Sequence, residues 1–156
     1  MKITYEKLFE VVDVLNTLRL DNQSTKFAYV VSKNTPALQK LIKKYNEDLF
    51  DINLENSQED EKTKSILKDA KGEFLFTKEG AKAKEIAVRA LQSKEVDFDV
   101  YTLQELTEPL YRSIGLAACN IFAGVLMKEE QVKAATENEI WNTPVVKDVP
   151  KVEVAQ

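Results

Sequence analysis

Asp97 and Asp99 stand two residues apart in Val96-Asp97-Phe98-Asp99-Val100-Tyr101, a segment that alternates apolar and acidic residues. A strand there puts both carboxylates on one face, and Glu73 from a neighbouring strand would lie opposite them. Carboxylates that meet in this way can bind magnesium or calcium. A half-buried strand that turns its polar side to water uses the same residues, and no phosphate-binding loop or further ligand accompanies them. We take the plainer reading and keep a carboxylate-metal enzyme as a third option. Glu47, Asp51 and Glu55 recur every four residues, the signature of a solvated helix face. Lys26, Lys33, Lys40 and Lys44 share another face; it would suit an acidic partner or a nucleic-acid backbone, but exposed helix lysines need neither. Cys119, between Ala118 and Asn120 in an apolar run with no base nearby, reads as a small core residue rather than a nucleophile.

The composition removes further chemistries. The 156-residue chain has no His, which excludes Ser-His-Asp and Cys-His nucleophile systems and imidazole metal sites. One Cys allows neither an internal disulfide nor a thiolate zinc cluster. Gly72 and Gly80 are too isolated to cradle a phosphate, and Tyr5, Tyr29, Tyr45, Tyr101 and Tyr111 are spread too evenly to form a stacking platform. The net charge is −4, and Arg19, Arg89 and Arg112 are scattered, so nucleic acid is not an expected partner. The start of the chain lacks the apolar core of a signal peptide, and Ser113 to Met127 is too short to span a bilayer. The expectation is a non-enzymatic protein of a reducing cytoplasm, with no cofactor, metal, nucleic acid or membrane.

The elements that would hold any site are mostly helical. Thr4 can cap a first helix, with Ile3 stapled onto Leu8 across its first turn. Tyr5, Leu8, Val12, Leu15 and Leu18 give that helix one apolar face, widened by Phe9 and Val11. Leu20-Asp21-Asn22-Gln23 suits a short turn, and Ser24 caps a longer helix. There Phe27, Val31, Asn34, Leu38, Leu41, Tyr45, Leu49 and Ile52 follow heptad-like steps. Pro36 predicts either a kink or a restart capped by Thr35, and Asn34 is either a register device or a residue turned outward by that kink. Residues 4 to about 56 thus read as an antiparallel helical hairpin.

An acidic, exposed connection follows, then a short helix over Asp60 to Lys71 stopped by Gly72. Glu73–Thr77 and Val96–Tyr101 are strand candidates on either side of a helix from Lys78 to Lys94, in a direction the sequence leaves open. Thr102-Leu-Gln-Glu105 resembles a capping box, interrupted by Pro109. In the apolar stretch from Leu110 to Met127, small residues such as Gly115 and Gly124 would permit close backbone approach. The fold class is α+β, mainly helical: a single globular domain over 1–128, with a small two-stranded element. Residues 129–156 read as an extended C-terminal arm, with Thr143-Pro144 and Val149-Pro150 limiting strand pairing. Trp141, Val145, Val146, Val149 and Val152 make that arm adhesive, so these five are the candidate partner-binding residues.

The opening helix, the run from Lys26 to Asn34, and Leu38 to Glu47 resemble a group of small uncharacterised bacteriophage proteins. The acidic linker, Gly72 to Phe76 and Val96 to Val100 extend the resemblance to about residue 105. It implies a phage protein of the host cytoplasm and transfers no functional residue. The leading expectation is a virion or assembly component acting through contacts with phage structural proteins, host proteins or other copies of itself. The alternative is a small inhibitor that binds a host defence protein.

Overall fold

The backbone begins by using Thr4 twice. Its hydroxyl accepts from the amide of Lys7 at 3.2 Å, which caps helix α1 (Tyr5–Thr17). The same residue ends strand β1 (Lys2–Thr4). Ile3 and Leu8, the residues of the expected staple, are both buried. The computed structural model describes residues 1–19 and 24–142; the expected turn at 20–23 lies outside them. Ser24 caps helix α2 (Thr25–Asn56), its hydroxyl accepting from Phe27 at 3.2 Å. Helix α3 (Lys78–Ser93), strand β2 (Glu95–Asp97), and helices α4 (Glu108–Ile114), α5 (Leu116–Phe122) and α6 (Glu129–Asn142) complete a mainly helical α+β chain.

Helices α1 and α2 form the antiparallel hairpin, since Tyr5 and Phe9 at the start of α1 meet Tyr45 far along α2. The buried stripe of α1 runs through Tyr5, Leu8 and Val11, leaving Val12 and Leu15 half-buried. On α2 the heptad-like positions Phe27, Val31, Asn34, Leu38 and Tyr45 are buried, while Leu41, Leu49 and Ile52 are half-buried. Pro36 does not make α2 restart: Thr35 lies inside the helix and its hydroxyl donates back to the carbonyl of Val31 at 2.8 Å.

The chain divides into two compact units, one of Met1–Phe9 with Pro36–Phe98 and one of Glu10–Thr35 with the chain from Asp99 onward. In the first, Tyr5, Tyr45 and Leu91 form a buried cluster on which Phe9, Leu41, Leu49, Ile52 and Val96 pack. The rings of Tyr5 and Phe9 approach Tyr45 edge-on at 5.0 and 4.7 Å. Strand β2 pairs antiparallel with β1, Lys2 opposite Asp97 and Thr4 opposite Glu95. The expected partner, Glu73–Thr77, forms no strand, which removes the strand–helix–strand crossover. Thr77 instead caps α3, accepting from Gly80 at 3.0 Å. A Cβ at Gly80 would lie 2.5 Å from the carbonyl oxygen of Asn56, so only glycine admits this close passage of α3 by the end of α2.

No helix forms between Asp60 and Lys71. The Asp60 carboxylate accepts from the amides of Lys62 and Thr63, and Asp69 accepts from Lys71 and Glu73, each bending the chain into a turn. Those backbone donors, Thr63 first, hold the Asp60 carboxyl below its usual range. Gly72, at φ 83, completes the second turn rather than stopping a helix. Gln58, Leu67 and Leu75 then close the segment by bonding to one another through their backbones at 2.7 to 3.1 Å.

In the second unit, Phe27 packs on Phe122 with ring centroids 5.9 Å apart. Thr102–Glu105 opens no helix; Leu103 pairs instead with Leu126, its amide donating to that carbonyl at 2.8 Å. Thr107 is the cap of α4, and Pro109 fits its first turn, where a missing N–H costs nothing. Gly115 at φ 96 separates α4 from α5, and Gly124 at φ 78 follows α5. These two glycines therefore serve left-handed backbone, not close approach: a Cβ on Gly115 would touch nothing within 4 Å. Residues 129–142 are helical, which corrects the extended reading for that half of the arm. Glu129 and Glu130 suit the positive helix start, Val132 is buried, and the Gln131 side chain bonds the backbones of Gln104 and Leu106. Residues 143–156 lie outside the described residues.

Leu38, 5% exposed on the seam of α2, tests this packing. Leu38→Ala is expected to lower unfolding free energy by about 2–5 kcal/mol, read by urea denaturation. An unchanged midpoint and slope contradict the seam.

Candidate functional site

The side chain that organises the second unit is Asn34, fully buried in the middle of a helix. Its amide nitrogen donates to the carbonyls of Val30 at 2.8 Å and Tyr101 at 2.7 Å, and its oxygen accepts from the Tyr101 amide at 2.8 Å. One carboxamide thus pairs with both backbone polar groups of Tyr101, as a neighbouring strand would. Asn34 is therefore turned inward, and Pro36 has not displaced it. A buried amide without partners would be costly, so this geometry leaves Tyr101 one backbone position.

Fixing that backbone sets the ring. Tyr101 meets Tyr29 edge to face, with centroids 5.6 Å apart and planes at 81°. Both rings remain substantially open, Tyr29 at 50% and Tyr101 at 40% exposure. They wall a groove of about 480 Å³ that has Val30 and Leu103 at its base and Lys26 and Glu105 among its lining. The Lys33 ammonium stands over the Tyr29 ring at 5.4 Å, against its electron-rich face. Two exposed aromatic walls flanked by two lysines and one carboxylate can hold an apolar or proline-bearing segment and orient it by charge. The sequence does not reveal this site, because 71 residues lie between Tyr29 and Tyr101 and no shared pattern connects them.

The other sequence candidates lie apart from it. Asp97 is on β2 with its carboxylate 2.8 Å from the Lys2 ammonium, both side chains largely in solvent. Hydrogen bonding and charge from Lys2 hold the Asp97 carboxyl below its usual range. Asp99 is exposed beyond the last residue of β2, and Glu73 lies in the Asp69 turn instead of opposite Asp97. Among the described residues, no group of three or more potential ligands is placed to hold a metal ion. Glu47, Asp51 and Glu55 are exposed on α2, as are Lys26, Lys33, Lys40 and Lys44, and Lys44 pairs with Asp48 at 2.9 Å.

Cys119 is fully buried, and burial pushes its thiol up to about 11. Tyr111 is also buried, with no partner for its hydroxyl among the described residues. Trp141 falls in α6, one residue before its end, and nothing of its side chain is described; Val145, Val146, Val149 and Val152 lie outside the described residues. No described helix is long and apolar enough to cross a membrane.

Asn34→Ala strands both backbone groups of Tyr101 and is expected to cost about 1–3 kcal/mol in chemical denaturation. A loss no larger than that of a surface substitution contradicts the clamp. For Cys119 the raised folded-state value means that the unfolded chain loses its thiol proton first. Its stabilising contribution is whole below pH 9.0 and declines as pH rises towards about 11. Iodoacetamide at pH 8 is expected to label the folded chain about 100-fold more slowly than the urea-unfolded chain, following the thiolate fraction. Equal rates would place the thiol at the surface. Comparison of the chain with protein-family models, with curated proteins and with solved structures found no match, so the chemistry of the site alone carries its reading.

Proposed function

We propose that this is a non-enzymatic bacteriophage protein that works through protein–protein contacts, as a virion or assembly component. The observation that carries the contact reading is the tyrosine-walled groove: two half-open aromatic rings, one of them on a backbone held by a buried amide. Tyrosine provides a large apolar area and a polar tip with few rotatable bonds, which suits it to interfaces. Ordering such a surface before a partner arrives removes part of the entropic cost of association. A His-free, net-acidic composition fits a role that rests on contacts. The phage role rests on the resemblance over residues 1 to about 105. Trp141, Val145, Val146, Val149 and Val152 are proposed as a second set of contact residues.

Mass spectrometry of purified particles tests the role. The expected result is this protein at stoichiometric copy number, with Tyr29→Ala/Tyr101→Ala reducing its incorporation by about tenfold or more, the scale of an interface hot spot. Absence from particles, with a host protein bound by the wild type and lost from the double variant, would replace this reading with the inhibitor. Incorporation unaffected by the double variant would remove the groove from the contact.

A further inference from the structure

A second surface, on the opposite half of α2, carries an inference that goes beyond the function proposed above and does not depend on it. From Gln39 to Asp51 the outward side of α2 is an open face. Gln39, Ile42, Asn46 and Phe50 recur at three- and four-residue steps, the spacing of a helix-pairing seam. Phe50 is 54% exposed although its ring touches Phe74 at 5.7 Å, so the stripe presents an aromatic edge that its own chain does not cover.

The charges beside this stripe are divided by position. Lys43 lies before Asn46 and Glu47 after it. Both are exposed, and neither makes an ion pair among the described residues, whereas Lys44 and Asp48, on another side of the helix, pair with each other. The arrangement is self-complementary in one direction only. If a second α2 lies antiparallel with the two-fold axis at Asn46, Ile42 meets Phe50 of the other copy. Lys43 then faces Glu47, a pair formed twice by symmetry. A parallel two-fold pairing would place the charged flanks of the two copies on opposite sides of the seam, so the Lys43–Glu47 pair would not form.

We infer that α2 of one chain pairs antiparallel with α2 of a second copy, through Ile42, Asn46 and Phe50 and the flanking Lys43–Glu47 ion pairs. One helix pair buries less than a standard interface, so the dimer is weak and forms at high local concentration. Exposed ion pairs contribute little energy each, so their part is to fix direction while Ile42 and Phe50 supply the apolar contact.

Sedimentation velocity of the full chain from about 10 to 500 μM, the range in which interfaces of this class form, tests the inference. A shift from monomer to dimer is expected, with Phe50→Asp weakening association about tenfold or more while circular dichroism stays unchanged. Lys43→Glu and Glu47→Lys each give one sign of charge on both copies, so each alone is expected to stay monomeric. Their mixture, with opposite signs facing, is expected to dimerise. Under oxidation Asn46→Cys should cross-link to itself and Gln39→Cys should not; the buried native Cys119 does not compete. A wild-type monomer throughout the range, association that Phe50→Asp leaves untouched, or a Gln39→Cys that cross-links as readily as Asn46→Cys each overturns it. None of these readings depends on whether the protein is found in particles.

Discussion

The arrangement of the second unit hangs on one buried carboxamide. Asn34 completes its hydrogen bonding only by taking both backbone groups of Tyr101, 67 residues away in sequence. In a dry interior an amide that loses such partners carries its full desolvation cost, so the contact admits few alternatives. A leucine at this seam position would pack without choosing an orientation for the Tyr101 segment. The polar residue is what gives that segment its position, and it does so from the centre of the helix that also carries Tyr29.

Helix α2 supplies three surfaces with different chemistry. Its first half places Asn34 inward and Tyr29 outward, and so builds one side of the tyrosine groove. Its second half directs Tyr45 into the aromatic cluster with Tyr5 and Phe9. The remaining side bears Ile42, Asn46 and Phe50, with Lys43 and Glu47 along one flank. Pro36 falls where the two compact units divide along this helix. There the lost backbone donor is accompanied by local bonds from Asn34 to Val30 and from Thr35 to Val31.

Local signals in the sequence were sufficient for elements whose caps and periodicity agree. Thr4 and Ser24 begin the helices their hydroxyls suggest, and the stripe from Phe27 to Ile52 marks one face of α2. Sequence reasoning failed where long-range pairing or turn chemistry decided. Glu95–Asp97 found its partner at Lys2–Thr4, where Ile3 reads as a staple and Thr4 as a cap for the helix that follows. Asp60 and Asp69 turned a helix-like composition into two tight turns through their own backbones. Glu129–Asn142 lacks dense hydrophobicity yet is helical, held near its start by Val132 and Gln131. The tyrosine groove was illegible because no pattern along the chain connects Tyr29 to Tyr101.

Native-state hydrogen exchange at a single amide bears most directly on the clamp. The Tyr101 N–H should be protected in the wild type and exchange at nearly the rate of an open loop in Asn34→Ala, while the amides of Leu103 and Phe98, bonded to other backbones, keep their protection. A Tyr101 amide that exchanges freely in the wild type, or stays protected without the Asn34 side chain, would contradict the account.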